Sequence, residues 1–267
     1  MGRGVRGCYA AQLGDCSGPL NREHFVSKNL LKEFEESGRL NVVGYPHGND
    51  AGQLLLSVES MSAKVLCESH NSRLSDVDVE GGRFISTFFA AHSGLLDETS
   101  RGDQTLEFNG LLIERWMLKY MCGLVASGQA GFGAERLERT PPPVEFLRVL
   151  FGLETVPPDW GLYTRPTTPV GFAQEKQLAI GLYLPLQPGG TRQVAGVKME
   201  HYGFTSILAL KTPSQPLSGT DLEGATHHPG FFRFEYGPSR VTIVVNWPDA
   251  KVADGFSIDL HKGGPPF

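Results

Sequence analysis

Apolar positions recur at two different periods along the chain, and the change from one to the other divides it. Leu111, Leu112, Trp116, Met117, Tyr120, Met121, Leu124 and Val125 keep the three-and-four spacing of a helix with one buried face, and Ser127-Gly128 ends the run. Phe84, Ile85, Phe88 and Phe89, followed by Leu95 and Leu96, repeat that spacing and predict a helix to about Gly94, with His92 an ordinary histidine on it. Pro141, Pro142 and Pro143 break the chain and set the first turn of a short helix from Val144 to Phe151. Nearer the start, a helix is expected from Ser27 to about Gly38 and a loop from Asn41 to about Gly52. Leu54 to Val58 reads as a short buried strand, Ser60 to Leu66 as a turn or short helix, and Asn71 to Asp78 as helical, with Ser75 placed to cap a further helix.

From Pro157 the pattern shortens to alternation. β-branched and aromatic runs at Ile180 to Leu184, Val194 to Met199, Phe204 to Leu210, Phe231 to Tyr236 and Val241 to Trp247 are punctuated by Pro, Gly and Thr. Phe232, Phe234 and Tyr236 alternate with Arg233 and Glu235, as in an antiparallel sheet with one wet face. The chain therefore reads as α+β in three segments: 1–80, a metal-bound module; 81–155, helical; and 156–267, β-rich. His227-His228 falls in a solvent loop on this reading, because neighbours on an extended chain point to opposite sides. The pairs Gly81-Gly82 and Gly189-Gly190 lack the strand and helix context of a phosphate loop.

Composition narrows the class. At 267 residues with 40% hydrophobic content the chain can bury a sizeable core. No stretch approaches the ~20 apolar residues that cross a bilayer, and Met1-Gly2-Arg3-Gly4 is not followed by an apolar signal core, so a cytoplasmic protein with no membrane partner is expected. Four cysteines are too few for a disulfide scaffold in a chain of this length. A net charge of −5 argues against tight nonspecific binding of nucleic acid, which draws its affinity from Lys and Arg. Arg3, Arg6, Arg22, Lys28 and Lys32 nonetheless cluster in the sequence near its most reactive stretch.

That stretch runs from Cys8 to Asp78. Cys67 and His70 are two residues apart, the reach of one zinc knuckle, and Cys8 and Cys16 supply a second pair across a wider loop. Cys8 and Cys16 sit in a polar, glycine-bearing segment with no apolar period to bury them. This favours a structural zinc held by Cys8, Cys16, Cys67 and His70 over unrelated buried thiols. Cys122 lies within the amphipathic run 111–125 and reads as a buried thiol outside any metal site.

Between the two pairs lies Asn21-Arg22-Glu23-His24-Phe25-Val26-Ser27, and the second pair runs directly into Asn71. An acidic residue and histidine after one knuckle, with a second knuckle leading into Asn, resembles the HNH endonucleases of the ββα-metal fold over about the first 80 residues. It looks like uncharacterised bacterial proteins of that kind. The resemblance implies that His24 is the general base acting on water, that Glu23 and Asn71 hold a catalytic Mg²⁺ or Mn²⁺, and that the two cysteine pairs hold structural zinc. The middle Asn of the motif corresponds to Asn41 or Asn49, with Asn49 preferred for its place nearer the second strand. The chain departs from the family in having Glu23 where Asp is frequent, Ser27 where proline is common, Leu74 where Lys is common, and a long interval from His24 to Asn71. The implied substrate is nucleic acid, DNA ahead of RNA.

Two functions follow. One is a metal-dependent nuclease hydrolysing phosphodiester bonds. The other is a noncatalytic zinc-stabilised module that binds nucleic acid or protein, in which Glu23-His24 only satisfy backbone groups. A cleft into which Glu23, His24 and Asn71 all open would favour the first; a buried or zinc-bound His24 would favour the second.

Overall fold

The element order explains why the reactive stretch needs residues far beyond it. The structure is a computed structural model and describes residues 5–43, 53–92, 103–132, 135–136, 138–158, 160–166, 178–185, 194–210, 222–236, 239–248 and 254–259. Among these the chain is α+β with five α-helices and several antiparallel strand pairings. It divides into two compact units, residues 1–82 with 115–155 and residues 83–114 with 156–267. The helical segment expected at 81–155 is thus shared between the two rather than standing as a unit of its own. No helix among the described residues is long and apolar enough to cross a membrane.

In the first unit, β1 (Leu20–His24) is followed by α1 (Lys28–Glu33) and by the strands β2 (Leu40–Val43) and β3 (Gln53–Leu56), which pair with each other. Then come β4 (Ser62–Cys67), α2 (Glu68–Arg73) and the start of α3 (Ser75–His92), which from Arg83 on belongs to the second unit. β1 and β4 are antiparallel, from Leu20 opposite Cys67 to His24 opposite Ser62, with an irregularity between Asn21 and Arg22. Of the turn or short helix expected at Ser60 to Leu66, only the start is helical, within the 3-10 turn Val58–Met61; from Ser62 on the chain is strand. Leu66 and Cys67 are buried as a strand because β1, more than forty residues upstream, pairs with them, while Val65 falls at the irregularity and its carbonyl accepts from Tyr9 N.

After β5 (Gln104–Asn109), α4 (Gly110–Ser127) follows the predicted amphipathic run, and from Arg115 on it belongs to the first unit. Trp116 and Met117 are fully buried there, with Phe25, Leu30, Leu66 and Leu74 also in the core. Gly81 makes room for Trp116: a Cβ on that glycine would lie 2.1 Å from the indole ring. The short pair β6 (Gly131–Phe132) and β7 (Glu135–Arg136) and the helix α5 (Val144–Leu150) complete the unit, α5 starting directly after Pro143 as expected.

The second unit holds two sheets where one antiparallel sheet was expected. β8 (Gly161–Pro166), β9 (Leu178–Tyr183), β10 (Gly196–His201), β11 (Phe204–Ala209) and β12 (Thr226–His227) form an antiparallel sheet in the order β12-β8-β11-β10-β9. β13 (Phe231–Tyr236), β14 (Ser239–Asn246) and β15 (Phe256–Asp259) join β5 in a mixed sheet, β15-β13-β14-β5, whose outer pairings are parallel. Phe88, Phe204 and Phe232 meet edge to face in the core, Phe88 and Phe232 at 4.8 Å and Phe204 and Phe232 at 5.1 Å between ring centres. His201 is buried among them and bonds Ser206 Oγ at 3.1 Å. The His227-His228 pair is not a plain solvent loop. His228 stacks on Trp247 at 4.1 Å and donates to the buried Glu114 carboxylate at 3.0 Å.

Candidate metal centre and the His24 strand

Cys8, Cys16, Cys67 and His70 come together, with their ligand atoms all within 4.8 Å of one another. The local chain delivers each of them. Cys67 ends β4 and caps α2, and His70 lies one turn into that helix. Tyr9 N bonds Val65 O at 2.8 Å, which brings the Cys8 loop alongside β4. The Cys16 loop is held by Ser69 N to Ser17 O and Glu68 N to Pro19 O. His70 Nδ1 faces all three sulfurs, at 3.1 Å from Cys67 and 3.6 Å from Cys8 and Cys16. Tetrahedral zinc, with Zn–S near 2.3 Å and Zn–N near 2.0–2.1 Å, would separate sulfur and nitrogen by about 3.6 Å. The group can hold a metal ion such as zinc.

The remaining ring nitrogen carries a feature that spacing alone did not reveal. His70 Nε2 lies 3.0 Å from Asp15 Oδ1, and Asp15 Oδ2 lies 2.7 Å from Arg73 Nη1. The carboxylate stands within ion-pair distance of the far nitrogen without the alignment of a hydrogen bond, a placement that favours the tautomer exposing Nδ1 to a metal. Burial keeps His70 below the usual histidine value, opposed by Asp15, which favours the neutral form that ligates. Burial pushes the Cys8 thiol up to about 12, against the backbone N–H groups of Cys67 and Ala10. Burial works the same way at Cys67, but the N–H groups of His70 and Ser17 and the neighbouring thiols outweigh it and hold this thiol below the ordinary range. The environment thus favours a thiolate at the strand–helix junction. Cys122 is fully buried on α4 and outside the group.

At the other end of β1 the two residues of the Glu23-His24 pair part company, as adjacent strand residues must. Glu23 is 3% exposed and turned inward, where its Oε1 forms an ion pair with Lys119 of α4. Lys119 also donates to Asp78 Oδ1 at 2.6 Å and to the His24 carbonyl at 2.8 Å. Burial pushes the Glu23 carboxyl up to about 7, and Lys119 only partly offsets it. Burial lowers the lysine, but two carboxylates against it raise it above its usual value. One ammonium shared between two acids accounts for both directions. The network extends through Ser27 Oγ, which donates to Asp78 and accepts from Trp116 Nε1 at 2.9 Å.

His24 lies on the other side of the strand, its side chain 14% exposed, with Nε2 3.7 Å from Glu59 Oε2. That nitrogen has no hydrogen-bond partner among the described residues. Glu59 in turn pairs with Lys28 at 2.5 Å. Burial lowers the His24 pKa, with Glu59 opposing and Lys28 and Lys119 adding to the effect. Asn71 sits on α2, and its Nδ2 donates to Arg22 O on β1 at 3.4 Å. Arg22 and Lys28 are exposed on the same stretch.

The structure therefore places His24 and Asn71 on one strand–strand–helix unit and turns Glu23 away into the core. His24 is not a member of the metal group. Asn41 is exposed on β2, and Asn49 lies outside the described residues. Asp15, Glu59, Asp78 and Lys119 were not read as site residues from the sequence. Asp15 adjoins Cys16, a signal available without the structure; the other three are brought in by folding alone. Comparison of the chain with protein-family models, with curated proteins and with solved structures returns no match.

Proposed function

We propose that the chain is a metal-dependent nuclease of the HNH type that hydrolyses phosphodiester bonds of nucleic acid, DNA ahead of RNA. In this reading β1, β4 and α2 are its ββα-metal module and the Cys8, Cys16, Cys67 and His70 group holds zinc. One observation carries the reading. β1 ends in His24, its antiparallel partner β4 runs without a break into α2, and the metal-ligand group sits at that junction while Asn71 bonds back to β1.

Burial lowers the His24 pKa, and its Nε2, buried and without a hydrogen-bond partner among the described residues, can accept a proton from a water that reaches it. Glu59, within ion-pair distance of the same nitrogen, stabilises the imidazolium that results. Asn71 Oδ1 is left to face a divalent ion, because its Nδ2 is tied to Arg22 O. Mg²⁺ or Mn²⁺ held there would supply the positive charge that phosphoryl oxygens develop against. The exposed Arg22 is placed to meet a phosphate of the substrate backbone.

A second reading has its own observation. The small exposure of His24 and the inward turn of Glu23 suit a zinc-stabilised module that binds nucleic acid or protein without cutting it. The test is cleavage of supercoiled plasmid, single-stranded DNA and RNA with Mg²⁺ or Mn²⁺ by wild type and His24→Ala. The nuclease reading expects cutting by wild type and a loss of ~100- to 10,000-fold in the variant, with metal content and fold intact. No cutting with any substrate, or equal cutting by both proteins, leaves the binding module.

A further inference from the structure

We infer that Lys119 is a positioning residue for His24, and that Glu23 is the counter-ion of this lysine and not a ligand of the divalent ion. The inference rests on the nuclease reading for its kinetic consequences, but its structural half stands apart from it.

An ammonium has three donors and no acceptor. Lys119, 1% exposed, directs them at Glu23 Oε1, Asp78 Oδ1 and the His24 carbonyl oxygen. The third contact is the informative one, because it grips the backbone of the residue read as the base. His24 is thereby held from behind by α4, while the flanking backbone pairs with β4 and Phe25 N bonds Met61 O at 3.0 Å. Three residues earlier on the same face of α4, Trp116 donates to Ser27 Oγ, which bonds both the carbonyl and the carboxylate of Asp78. One helix face therefore fixes both ends of the stretch 24–27.

Stability gives no reason for this arrangement. Replacing buried ions with apolar residues of similar volume is often neutral or stabilising, and a methionine has nearly the shape of lysine. What the ions provide is a directed hold on one carbonyl, and misplacement of a catalytic group by about 1 Å can cost ~100-fold in rate. Glu23 completes the account. It lies 3% exposed with its Oε1 on the lysine, so neutralising Lys119 occupies the group that the sequence offers as a metal ligand.

The experiment uses the metal-loaded full chain as wild type, Glu23→Gln, Lys119→Met and the charge-paired Glu23→Gln/Lys119→Met. It reads the imidazole NMR signals of His24, assigned by their loss in His24→Ala, together with kcat and KM on labelled single-stranded DNA at a series of Mg²⁺ and Mn²⁺ concentrations. The double variant is expected to unfold cooperatively with its bound metal retained, to show shifted or broadened His24 signals, and to lose about 10- to 100-fold in kcat with KM within twofold. Glu23→Gln is expected to keep the wild-type metal concentration for half-maximal rate. Unchanged His24 signals in the double variant would reduce Lys119 to a packing role, and a Glu23→Gln defect relieved by excess metal would restore Glu23 as a ligand. If wild type cuts nothing, the nuclease reading falls and the His24 signals alone decide the positioning role. If the double variant does not fold, Glu23→Gln decides: a raised metal requirement overturns the inference, and an unchanged one with moved His24 signals supports it.

Discussion

Asp15→Asn tests whether the metal centre extends beyond its four ligands. The Asp15 carboxylate bridges His70 Nε2 at 3.0 Å and Arg73 Nη1 at 2.7 Å, and it is the charged group that the imidazole meets on its far side. Asparagine keeps a carbonyl that can accept from Nε2–H and loses only the negative charge. It also tolerates the left-handed backbone at this position, φ 28°, where alanine would add strain of its own. The ring stays packed in either case, since it is fully buried and lies edge-on to Phe151 at 5.1 Å. Loss of such a partner typically weakens metal binding 10- to 100-fold, about 1.4 to 2.7 kcal/mol. With the Asp15 side chain 57% exposed, water screens its charge, and a loss of about tenfold, ~1.4 kcal/mol, is expected. Competition for Zn²⁺ against a chromophoric chelator at pH 7 measures it. Arg73→Met, which frees Asp15 without touching the loop, should give a smaller loss in the same direction. Affinities within twofold of wild type for Asp15→Asn would show that the carboxylate does nothing for the metal, and a loss as complete as that of a ligand variant would make Asp15 a ligand itself.

Three further outcomes are expected. Cys67→Ser should abolish stoichiometric metal by elemental analysis and lower the unfolding temperature, whereas Cys122→Ser should keep full metal content and lose only packing; equal metal in both would contradict the ligand assignment. His201, depressed by burial to about 3 from an unfolded value of 6.5, stays neutral when the unfolded chain takes up its proton. Its stability contribution is therefore complete above pH 6.5 and lost as pH falls toward 3, by up to about 1.4 kcal/mol per pH unit. Urea unfolding at pH 7, 6, 5 and 4 should show a slope that His201→Gln reduces, and parallel slopes would refute it. Gly81→Ala should destabilise the first unit by ~1–3 kcal/mol, because its Cβ would overlap the Trp116 ring; an unchanged urea midpoint would mean that the helix and ring can separate freely.

Features legible in the sequence were those written within a few residues. The period of Leu111 to Val125 marks α4, the triple proline marks the start of α5, and the two-residue gap between Cys67 and His70 marks one pair of the metal group. What escaped depends on partners far along the chain. Ser62 to Leu66 has no strand signature strong enough to outweigh its polar start and forms β4 only because β1 pairs with it. The residues 104–109 drew no assignment from the sequence, and their parallel pairing with β14 is set more than a hundred residues later. Lys119 is the sharpest case. On a helical wheel it interrupts an apolar face, and its meaning appears only when Glu23 and Asp78 are folded against it.

The discontinuous first unit has a consequence for how the protein is made. All four residues of the candidate metal group leave the ribosome within the first seventy residues, well before Trp116 and Lys119 exist. If that group holds an ion, a nascent chain can capture it while Glu23 still lacks Lys119 and Phe25, Leu30 and Leu74 await cover. Metal loading and closure of the core become separate events in time, and the interval between them is set by translation through residues 83–114, which belong to the other unit. A fragment ending after α2 would carry a complete ligand set on an unfinished core and should depend on its ion, and on a holding chaperone, far more than the whole chain does.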